Sequence, residues 1–421
     1  MMIFSGKKLL ILAGADVHVK AVKKAKEMGL YVAVTDYLED SPAKIIADES
    51  WMFSITDVDA IVKKCRETGI DAVLNCCNDL AQKPYAEICR ELKLPCFGTV
   101  EQYNIMTDKR RFKQFCMEHD VDVIPEYSFD DVQAGNARYP LLIKPAECRG
   151  SRGQCICASK EEAIRAYAEA QRFSLNGEAI CEAYINNMQD TASAFFVVDG
   201  EPYLIKFGDR FLGQKADGLN RQVMCSRFPS AFSKQFEKNC MTKVKKMIRA
   251  LGIQFGPVFL QGFFDGDTIR YYDPALRMPG SDYDLMLSRA TGFDPVKSMI
   301  HFAVTGDTKT CIGNPQDAYL LGGTTCLLVT VSVRPGMIKA ITGIDEIKRH
   351  PSVTVVQQKL KPGDCVPATG DIQQRAAEFG VNLNDDEDPV SFLRYIYSTF
   401  HVLDENGADM VVSKIDARKL I

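Results

Sequence analysis

The sequence has no apolar run long enough to cross a bilayer. The longest apolar stretch near its start, Leu9 to Ala15, has seven residues, against the roughly 20 that a transmembrane helix needs. Lys7 and Lys8 precede this stretch as in a signal peptide, but Asp16 and His18 follow it, where a cleavage site needs small residues. The stretch is therefore predicted to be a first β-strand, and no membrane partner is expected.

The sequence also lacks an excess of positive charge, and its Cys and His residues lack the spacing of metal ligands. The 51 Lys and Arg are outnumbered by 55 Asp and Glu, which excludes a general nucleic-acid binder, because such binding depends on clustered cations. There are only five histidines, and the pairs Cys76-Cys77 and Cys155-x-Cys157 lack the spacing of zinc ligands. The 15 cysteines are spread through apolar segments, which indicates a reduced, cytoplasmic protein rather than a disulfide scaffold.

Familiar catalytic signatures are absent as well. The first predicted turn has Gly14 alone instead of G-x-G-x-x-G, so a dehydrogenase is a weak alternative. There is no G-x-S-x-G elbow and no recognisable Cys-His spacing, and His301 lies in an apolar segment typical of a core histidine. The function class that remains is an enzyme that acts on small molecules without a side-chain nucleophile.

The 421 residues predict two to three domains. Strands alternate with helices in the first part, which predicts a Rossmann-like parallel sheet over 1–105. The pattern then becomes segregated, which predicts an α+β centre over 106–311. Residues 312–421 are predicted to form a small β-rich domain whose strands include 392–399. The expected fold class is therefore α/β and α+β.

A basic, glycine-rich segment follows one predicted strand of the central part. Lys144 ends that strand, and Arg149, Gly150, Ser151, Arg152 and Gly153 form the tip of a predicted hairpin. Glycines let the backbone close on an anion, and the cations supply charge, so the segment is typical of a phosphate clamp. An ordinary hairpin with solvated arginines is the alternative.

Further charged residues stand at the ends of predicted elements. Lys109 opens a helix in Thr107-Asp108-Lys109, and Glu182 ends a strand in Glu182-Ala183-Tyr184-Ile185. Asp273 ends another strand, with Arg277 four residues later. An acid and an arginine so placed can bind Mg²⁺ and stabilise a transferring phosphoryl group.

The order of these elements, together with Ala290-Thr291-Gly292-Phe293-Asp294, resembles that of the ATP-grasp superfamily of carboxylate–amine ligases. The likeness extends over nearly the whole chain. It is greatest to the branch that contains biotin carboxylase, carbamoyl-phosphate synthetase, glycinamide ribonucleotide synthetase and the L-amino-acid ligases. The resemblance implies a two-layer ATP-grasp centre with a hairpin lid at about 147–153.

The resemblance also assigns roles to individual residues. The ATP phosphates are expected to be bound by Lys109 and Lys144, with the lid formed by Arg149, Gly150, Ser151, Arg152 and Gly153. Adenine is expected at Glu182, Tyr184 and Ile185, and ribose at Asp190. Arg277, with Lys144, is expected to act in catalysis by facing the acyl phosphate.

The expected metal site departs from the family pattern. The first acid is replaced by Gln261, the second is Asp273, and an Asn position is Ala275. One carboxylate with an amide oxygen can still hold Mg²⁺ or Mn²⁺, because phosphates and water supply further ligands. Gln261 as an ordinary packed strand residue is the alternative.

The resemblance predicts that ATP activates a carboxylate as an acyl phosphate, which an amine then attacks to form an amide or peptide-like bond. Two alternatives remain open: an ATP-binding regulatory protein that has lost ligation, and biotin carboxylation. The partners expected are a small carboxylate and a small amine, and a homodimer is left open.

Overall fold

The computed structural model describes residues 4–146, 153–174, 177–186, 188–213, 222–412 and 414–420. The strands are β1 (Lys8–Leu12), β2 (Tyr31–Thr35), β3 (Glu49–Trp51), β4 (Ala72–Leu74), β5 (Glu126–Tyr127), β6 (Leu141–Pro145), β7 (Cys155–Cys157), β8 (Ala179–Ala183), β9 (Gln189–Val198), β10 (Glu201–Leu212), β11 (Val223–Phe228), β12 (Phe255–Phe264), β13 (Ile269–Ala275), β14 (Cys326–Val333), β15 (Gly336–Met337), β16 (Ala340–Thr342), β17 (Val353–Gln358), β18 (Cys365–Val366), β19 (Arg375–Asn382), β20 (His401–Leu403) and β21 (Val411–Val412). The helices are α1 (Val19–Glu27), α2 (Pro42–Ile45), α3 (Val58–Thr68), α4 (Gln82–Leu92), α5 (Val100–Thr107), α6 (Lys109–Glu118), α7 (Phe129–Ala134), α8 (Lys160–Phe173), α9 (Ser233–Asn239), α10 (Met241–Leu251), α11 (Tyr283–Thr291), α12 (Pro295–Thr305), α13 (Ile344–Arg349) and α14 (Pro389–Thr399).

The first sheet confirms the predicted parallel opening. Its order is β3-β2-β1-β4, and each neighbouring pair is parallel. The strands β1, β2 and β4 are apolar and almost wholly buried, as is typical of parallel sheets that are covered on both faces.

The turn after β1 packs closely against the segment after β2. A Cβ atom on Gly14 would lie 2.6 Å from Cβ of Ser41. Asp36, at the end of β2, accepts hydrogen bonds from the backbone N–H groups of Gly14 at 2.8 Å and Leu38 at 2.9 Å. In a dinucleotide-binding sheet an acid at this place would contact ribose. Its engagement by the backbone argues against the dehydrogenase hypothesis.

Two antiparallel sheets follow. The smaller has the order β5-β8-β6-β7, and its core is formed with α7 and α8. The larger has nine strands in the order β13-β12-β9-β10-β11-β14-β19-β17, with β21 paired to β14. The strands β14, β17 and β19 of the last part of the chain therefore extend the central sheet. The expected combination of a parallel sheet with an α+β centre is confirmed.

One predicted strand is wrong: residues 392–399 belong to the helix α14. The backbone N–H groups of Val390 and Ser391 donate to Asp388 Oδ1 at 2.9 and 3.0 Å, and Pro389 occupies the first turn. Aromatic and β-branched residues favour strands, but this N-cap and the burial of Phe392 and Ile396 on one face favour a helix.

No helix within the described ranges is both long enough and apolar enough to cross a lipid bilayer. Every described cysteine carries a free thiol.

Buried ion pairs join the first segment to the central one. Lys20 and Lys24 of α1 both contact Asp284 of α11, whose side chain is wholly buried. Lys20 also lies 3.1 Å from Asp282, and Lys24 lies 2.9 Å from Asp294. Burial raises the pKa of Asp284, but the two lysines outweigh it, so that the pKa lies below its usual value.

We expect Asp284→Asn to lower the free energy of unfolding by about 3 kcal/mol or more, because it leaves two buried ammonium groups short of a partner. Urea denaturation measures the loss. Glu27→Gln is the matched control: Glu27 also lies on α1, but its pair with Lys297 is half exposed, so we expect a loss under about 1 kcal/mol.

The same substitution has a predictable pH dependence. A carboxyl group with a depressed pKa stabilises the fold above its unfolded pKa, about 3.9, and loses this contribution as the pH falls through its folded pKa. The difference between wild type and Asp284→Asn should thus be full at pH 7 and narrow only below about pH 4. Equal losses for Asp284→Asn and Glu27→Gln would contradict the role of the buried pairs.

Candidate active site

Two lysines share one buried carboxylate between the smaller sheet and α6. Glu182 of β8 has a side chain that is 2% exposed, and it contacts the ammonium groups of Lys113 and Lys144. Lys113 also lies 2.9 Å from Glu126 Oε2. Lys144 has no such second carboxylate, so it depends on Glu182 alone among the described residues.

The charges of this cluster are unevenly compensated. Burial raises the pKa of Glu182, but Lys144 and Lys113 lower it further, and the net shift is downward. Burial lowers the pKa of Lys144; Glu182 opposes the shift, while Lys109 and Lys113 add to it, and the pKa stays below its ordinary value. Lys144 is therefore an ammonium whose charge a further anion would stabilise.

Helix α6 lies between the smaller sheet and the larger sheet and contacts acidic residues of both. Lys109 and Lys113 lie four residues apart and thus on one face of the helix. Asp108 caps the helix by accepting hydrogen bonds from the backbone N–H groups of Arg110 and Arg111. Lys109 Nζ lies 3.7 Å from Asp273 Oδ1 of β13. Three ammonium groups, on β6 and α6, therefore converge between the smaller sheet and the end of β13.

The predicted metal residues lie side by side in the larger sheet. Asp273 of β13 is paired in register with Gln261 of β12. The Oε1 atom of Gln261 accepts a hydrogen bond from Arg210 Nη1 at 2.9 Å. Asp190 also accepts from Arg210, at 3.0 Å, and from the hydroxyl of Tyr272, at 3.0 Å. Asp190 thus belongs to an arginine-centred network of the sheet.

The donor set fits a divalent cation only in part. No group of three or more His, Cys, Asp or Glu suitable for a metal occurs in the part of the chain that is described. Asp273 offers a half-exposed carboxylate, while the amide oxygen of Gln261 accepts hydrogen bonds from Arg210 Nη1 at 2.9 Å and from the Tyr272 hydroxyl at 3.4 Å. The Asp273 carboxylate fits an Mg²⁺ ion that takes most of its ligands from phosphate and water.

Arg277 joins the end of the β12–β13 hairpin to the first segment. Its Nε and Nη2 atoms donate to Asp79 Oδ1 and Oδ2 at 2.6 and 2.9 Å, and its guanidinium lies 5.2 Å from the centre of the Phe259 ring. The side chain of Arg277 is 8% exposed while that of Asp79 is 63% exposed. The bidentate pair therefore holds a buried guanidinium in a fixed orientation.

The residues predicted to form the lid and to bind adenine do not form one cluster among the described residues. Arg149, Gly150, Ser151 and Arg152 lie outside the described residues. Gly153 has a φ of +67°, and a Cβ atom there would lie 2.9 Å from the Phe173 side chain. The backbone N–H of Tyr184 donates to Pro140 O at 3.0 Å, and Ile185 is half-buried. The roles predicted for these residues in nucleotide binding stay predictions.

Residues 108–253 match the family model described as carbamoyl-phosphate synthase L chain, ATP binding domain. The chain contains an ATP-grasp domain.

A curated relative matches about half of the chain. The chain is 28% identical over 227 residues to the 2-oxoglutarate carboxylase small subunit of Hydrogenobacter thermophilus, covering 48% of each protein. It thus spans about half the length of that curated relative.

Solved structures resemble the fold over its whole length. The L-amino acid ligase from Bacillus licheniformis superposes with a TM-score of 0.76 and 16% identity, covering 96% of this chain and 100% of that one. The biotin carboxylase domain of 2-oxoglutarate carboxylase from Hydrogenobacter thermophilus, a dimer in complex with MgADP and bicarbonate, superposes with a TM-score of 0.73 and 19% identity, covering 94% and 90%. At these identities the likeness establishes the fold, and it confirms the predicted ATP-grasp architecture.

The sequence analysis did not identify two charged residues of the candidate site, Lys113 and Asp79. Lys113 could have been found, because it lies one helical turn after Lys109. Asp79 carried no local signal, since its partner Arg277 is almost 200 residues away in the sequence.

Proposed function

We propose that the protein is an ATP-dependent carboxylate–amine ligase. The convergence of Lys109, Lys113 and Lys144 between two antiparallel sheets carries this proposal. Among the described residues, two carboxylates, Glu182 and Glu126, contact Lys113 and Lys144, and Lys109 lies near a half-exposed Asp273. A nucleotide triphosphate in this cleft would supply the negative charge that Lys144 lacks.

The residues support activation of a carboxylate by phosphoryl transfer. A carboxylate oxygen attacks the γ-phosphorus, the bond to the β-phosphate oxygen breaks, and ADP and an acyl phosphate form. An amine then attacks the acyl carbon and displaces phosphate, losing a proton to form the amide. Such chemistry needs orientation and charge compensation rather than a side-chain nucleophile.

Each cation has a distinct place in this scheme. Lys109 and Lys144 would bind the phosphates, and Lys113 would hold Glu182 in place. Arg277, pinned by Asp79, would face the negative charge that develops on the acyl phosphate. Asp273 would hold Mg²⁺, with Gln261 beside it on the paired strand, and the ion would supply positive charge to the phosphates.

A second candidate, an ATP-binding protein without ligase activity, is favoured by one observation. Arg210 already occupies one lone pair of Gln261, and Ala275 supplies no metal ligand. In that case the cleft would bind nucleotide and regulate a partner.

Release of ADP decides between the two. We expect purified protein with Mg-ATP to form ADP over many turnovers only when both an acid and an amine from a panel are present, with bicarbonate among the acids; an acid alone should give at most about one ADP per protein. ATP binding without ADP release under any mixture would support the second candidate. Absence of ATP binding would contradict both.

A further inference from the structure

One buried lysine of the larger sheet has no acidic partner among the residues that the structure describes. Lys206 of β10 is 4% exposed, and its ammonium group faces the rings of Phe228 at 4.4 Å, Tyr283 at 4.8 Å and Phe259 at 5.8 Å. No hydrogen-bond acceptor for it is found in the described ranges of the chain. Aromatic rings attract a cation, but they leave the three N–H donors of an ammonium group without oxygen acceptors.

The other buried lysines each have an oxygen acceptor for their ammonium group. Lys20, Lys24 and Lys113 each contact two carboxylates, and Lys44 donates to the backbone oxygen of Leu38 at 2.7 Å. Lys206 differs from them: among the described residues neither a carboxylate nor a backbone oxygen accepts a hydrogen bond from its ammonium group, whose donors are therefore open to a bound anion.

The position of Lys206 in the sheet relates it to the proposed active site. Ala194 of β9 is paired with Lys206 on one side and with Phe259 on the other. The adjacent row on the same face, two residues along, joins Ala192 to Gln261 and Asp273. Lys206 thus lies on the sheet face that carries the predicted metal residues, about 7 Å along the strands from their row.

Arg277 approaches the same ring as Lys206. Its guanidinium lies 5.2 Å from the centre of the Phe259 ring, and the ammonium of Lys206 lies 5.8 Å from it. Arg277 already has Asp79 as a partner. Two cations therefore lie near one ring, and of these two only Arg277 has a carboxylate partner among the described residues.

Like charges surround Lys206 from several elements. Burial lowers the pKa of Lys206 to about 7, and Arg210 on its own strand, Arg277 after β13 and Lys20 of α1 act in the same direction. An anion bound between these groups would restore the ammonium form.

We propose that Lys206 binds a second anionic group of the acid substrate, separate from the carboxylate that Arg277 faces, so that the substrate is an acid with at least two anionic groups. This inference rests on the proposed ligase function, since the acid is the one that ATP activates.

Binding of matched acids tests the inference without requiring turnover. The probes are butanoate with succinate, 2-aminobutanoate with aspartate, and glycerate with 3-phosphoglycerate, each titrated into the full chain in the presence of Mg-ADP. Here dianion means the acid of each pair that carries a second anionic group besides its carboxylate, and we expect at least one dianion to bind about 10-fold or more tightly than its partner. The pair that shows the preference tells a second carboxylate from a phosphate. No dianion preference in any pair would overturn the inference.

Variants of Lys206 locate the effect. Lys206→Met retains an apolar chain among the rings and should abolish the preference, leaving the Kd for ATP within about 2-fold. Lys206→Arg keeps a charge and should retain part of the preference. A preference that survives in Lys206→Met would refute the assignment; should that variant fail to fold, the wild-type titrations and Lys206→Arg still decide.

Proton uptake separates binding from a structural role. Because burial lowers the pKa of Lys206 to about 7, binding of the preferred dianion at pH 8 should be accompanied by proton uptake, measured by calorimetry in two buffers of different ionisation enthalpy. Lys206→Met should take up none, and uptake unchanged in that variant would count against Lys206. Lys206-dependent dianion binding without ADP release would defeat the ligase proposal and leave this site standing.

Discussion

Lys144→Met should weaken binding of ATP and ADP by roughly 10- to 150-fold, the equivalent of about 1.5–3 kcal/mol for a charge-assisted hydrogen bond to phosphate, and should reduce ADP formation to about 1% of wild type or less. The reason is the incomplete compensation of this ammonium, which shares Glu182 with Lys113 and faces Lys109. Calorimetric titration with ATP, ADP and adenosine measures the effect. Adenosine lacks phosphates, so its affinity should change little.

The control for this variant is Lys246→Met. Lys246 lies on α10 with a side chain that is 68% exposed, 3.9 Å from Asp120, so its loss should alter neither nucleotide affinity nor ADP formation. The fold should tolerate Lys144→Met, because Glu182 keeps Lys113 as a partner. Equal weakening of ATP and adenosine would mean that Lys144 supports the fold of the cleft rather than the phosphates.

The sequence predicted those parts of the site that carry a local pattern. Lys109 follows a capping Asp108, and Lys144 ends a short apolar strand; each position can be identified from a few neighbouring residues. The alternation of strands and helices in the first segment likewise predicted a parallel sheet. Such signals are local because helix caps and strand periodicity depend on residues within one or two turns.

What escaped prediction depends on distant parts of the chain. The sharing of Glu182 by two lysines, the engagement of Gln261 by Arg210 and the isolation of Lys206 all arise where separate strands are brought together by the sheet. The helix α14 escaped for another reason: its β-branched and aromatic residues favour a strand, and only the cap at Asp388 with Pro389 indicates a helix.

These distant contacts also join the parts of the chain to which the proposed reaction assigns a role. Lys20 and Lys24 fix α1 against α11 through buried ion pairs, while Asp79 reaches from the first segment to Arg277. The first segment thereby orients a residue of the central sheet. We infer that it contributes to positioning in the acyl-transfer half of the reaction, although its own sheet carries no nucleotide fingerprint.

Arg277→Met should leave the Kd for ATP within about 2-fold of wild type and lower the turnover number by roughly 10²- to 10³-fold, as removal of one donor to a developing anion does in other enzymes. Arg277 lies by the Phe259 ring and not among Lys109, Lys113 and Lys144, so its charge should act on the acyl phosphate rather than on bound nucleotide. ADP and amide formation, measured together with ATP affinity, separate the two effects.

Asp79→Asn distinguishes catalysis from a structural bridge, because it removes the partner charge while the guanidinium remains in place. Arg277 also donates to the backbone oxygen of Met278 at 2.9 Å, so its orientation should survive in part. We therefore expect Asp79→Asn to reduce turnover by only about 10-fold or less, well short of the loss from removing an anion-stabilising donor.

If the bidentate pair served only to join the first segment to the sheet, both variants would lower stability and turnover alike. A similar loss of turnover in Asp79→Asn and Arg277→Met, with matching falls in thermal stability, would remove Arg277 from the catalytic residues.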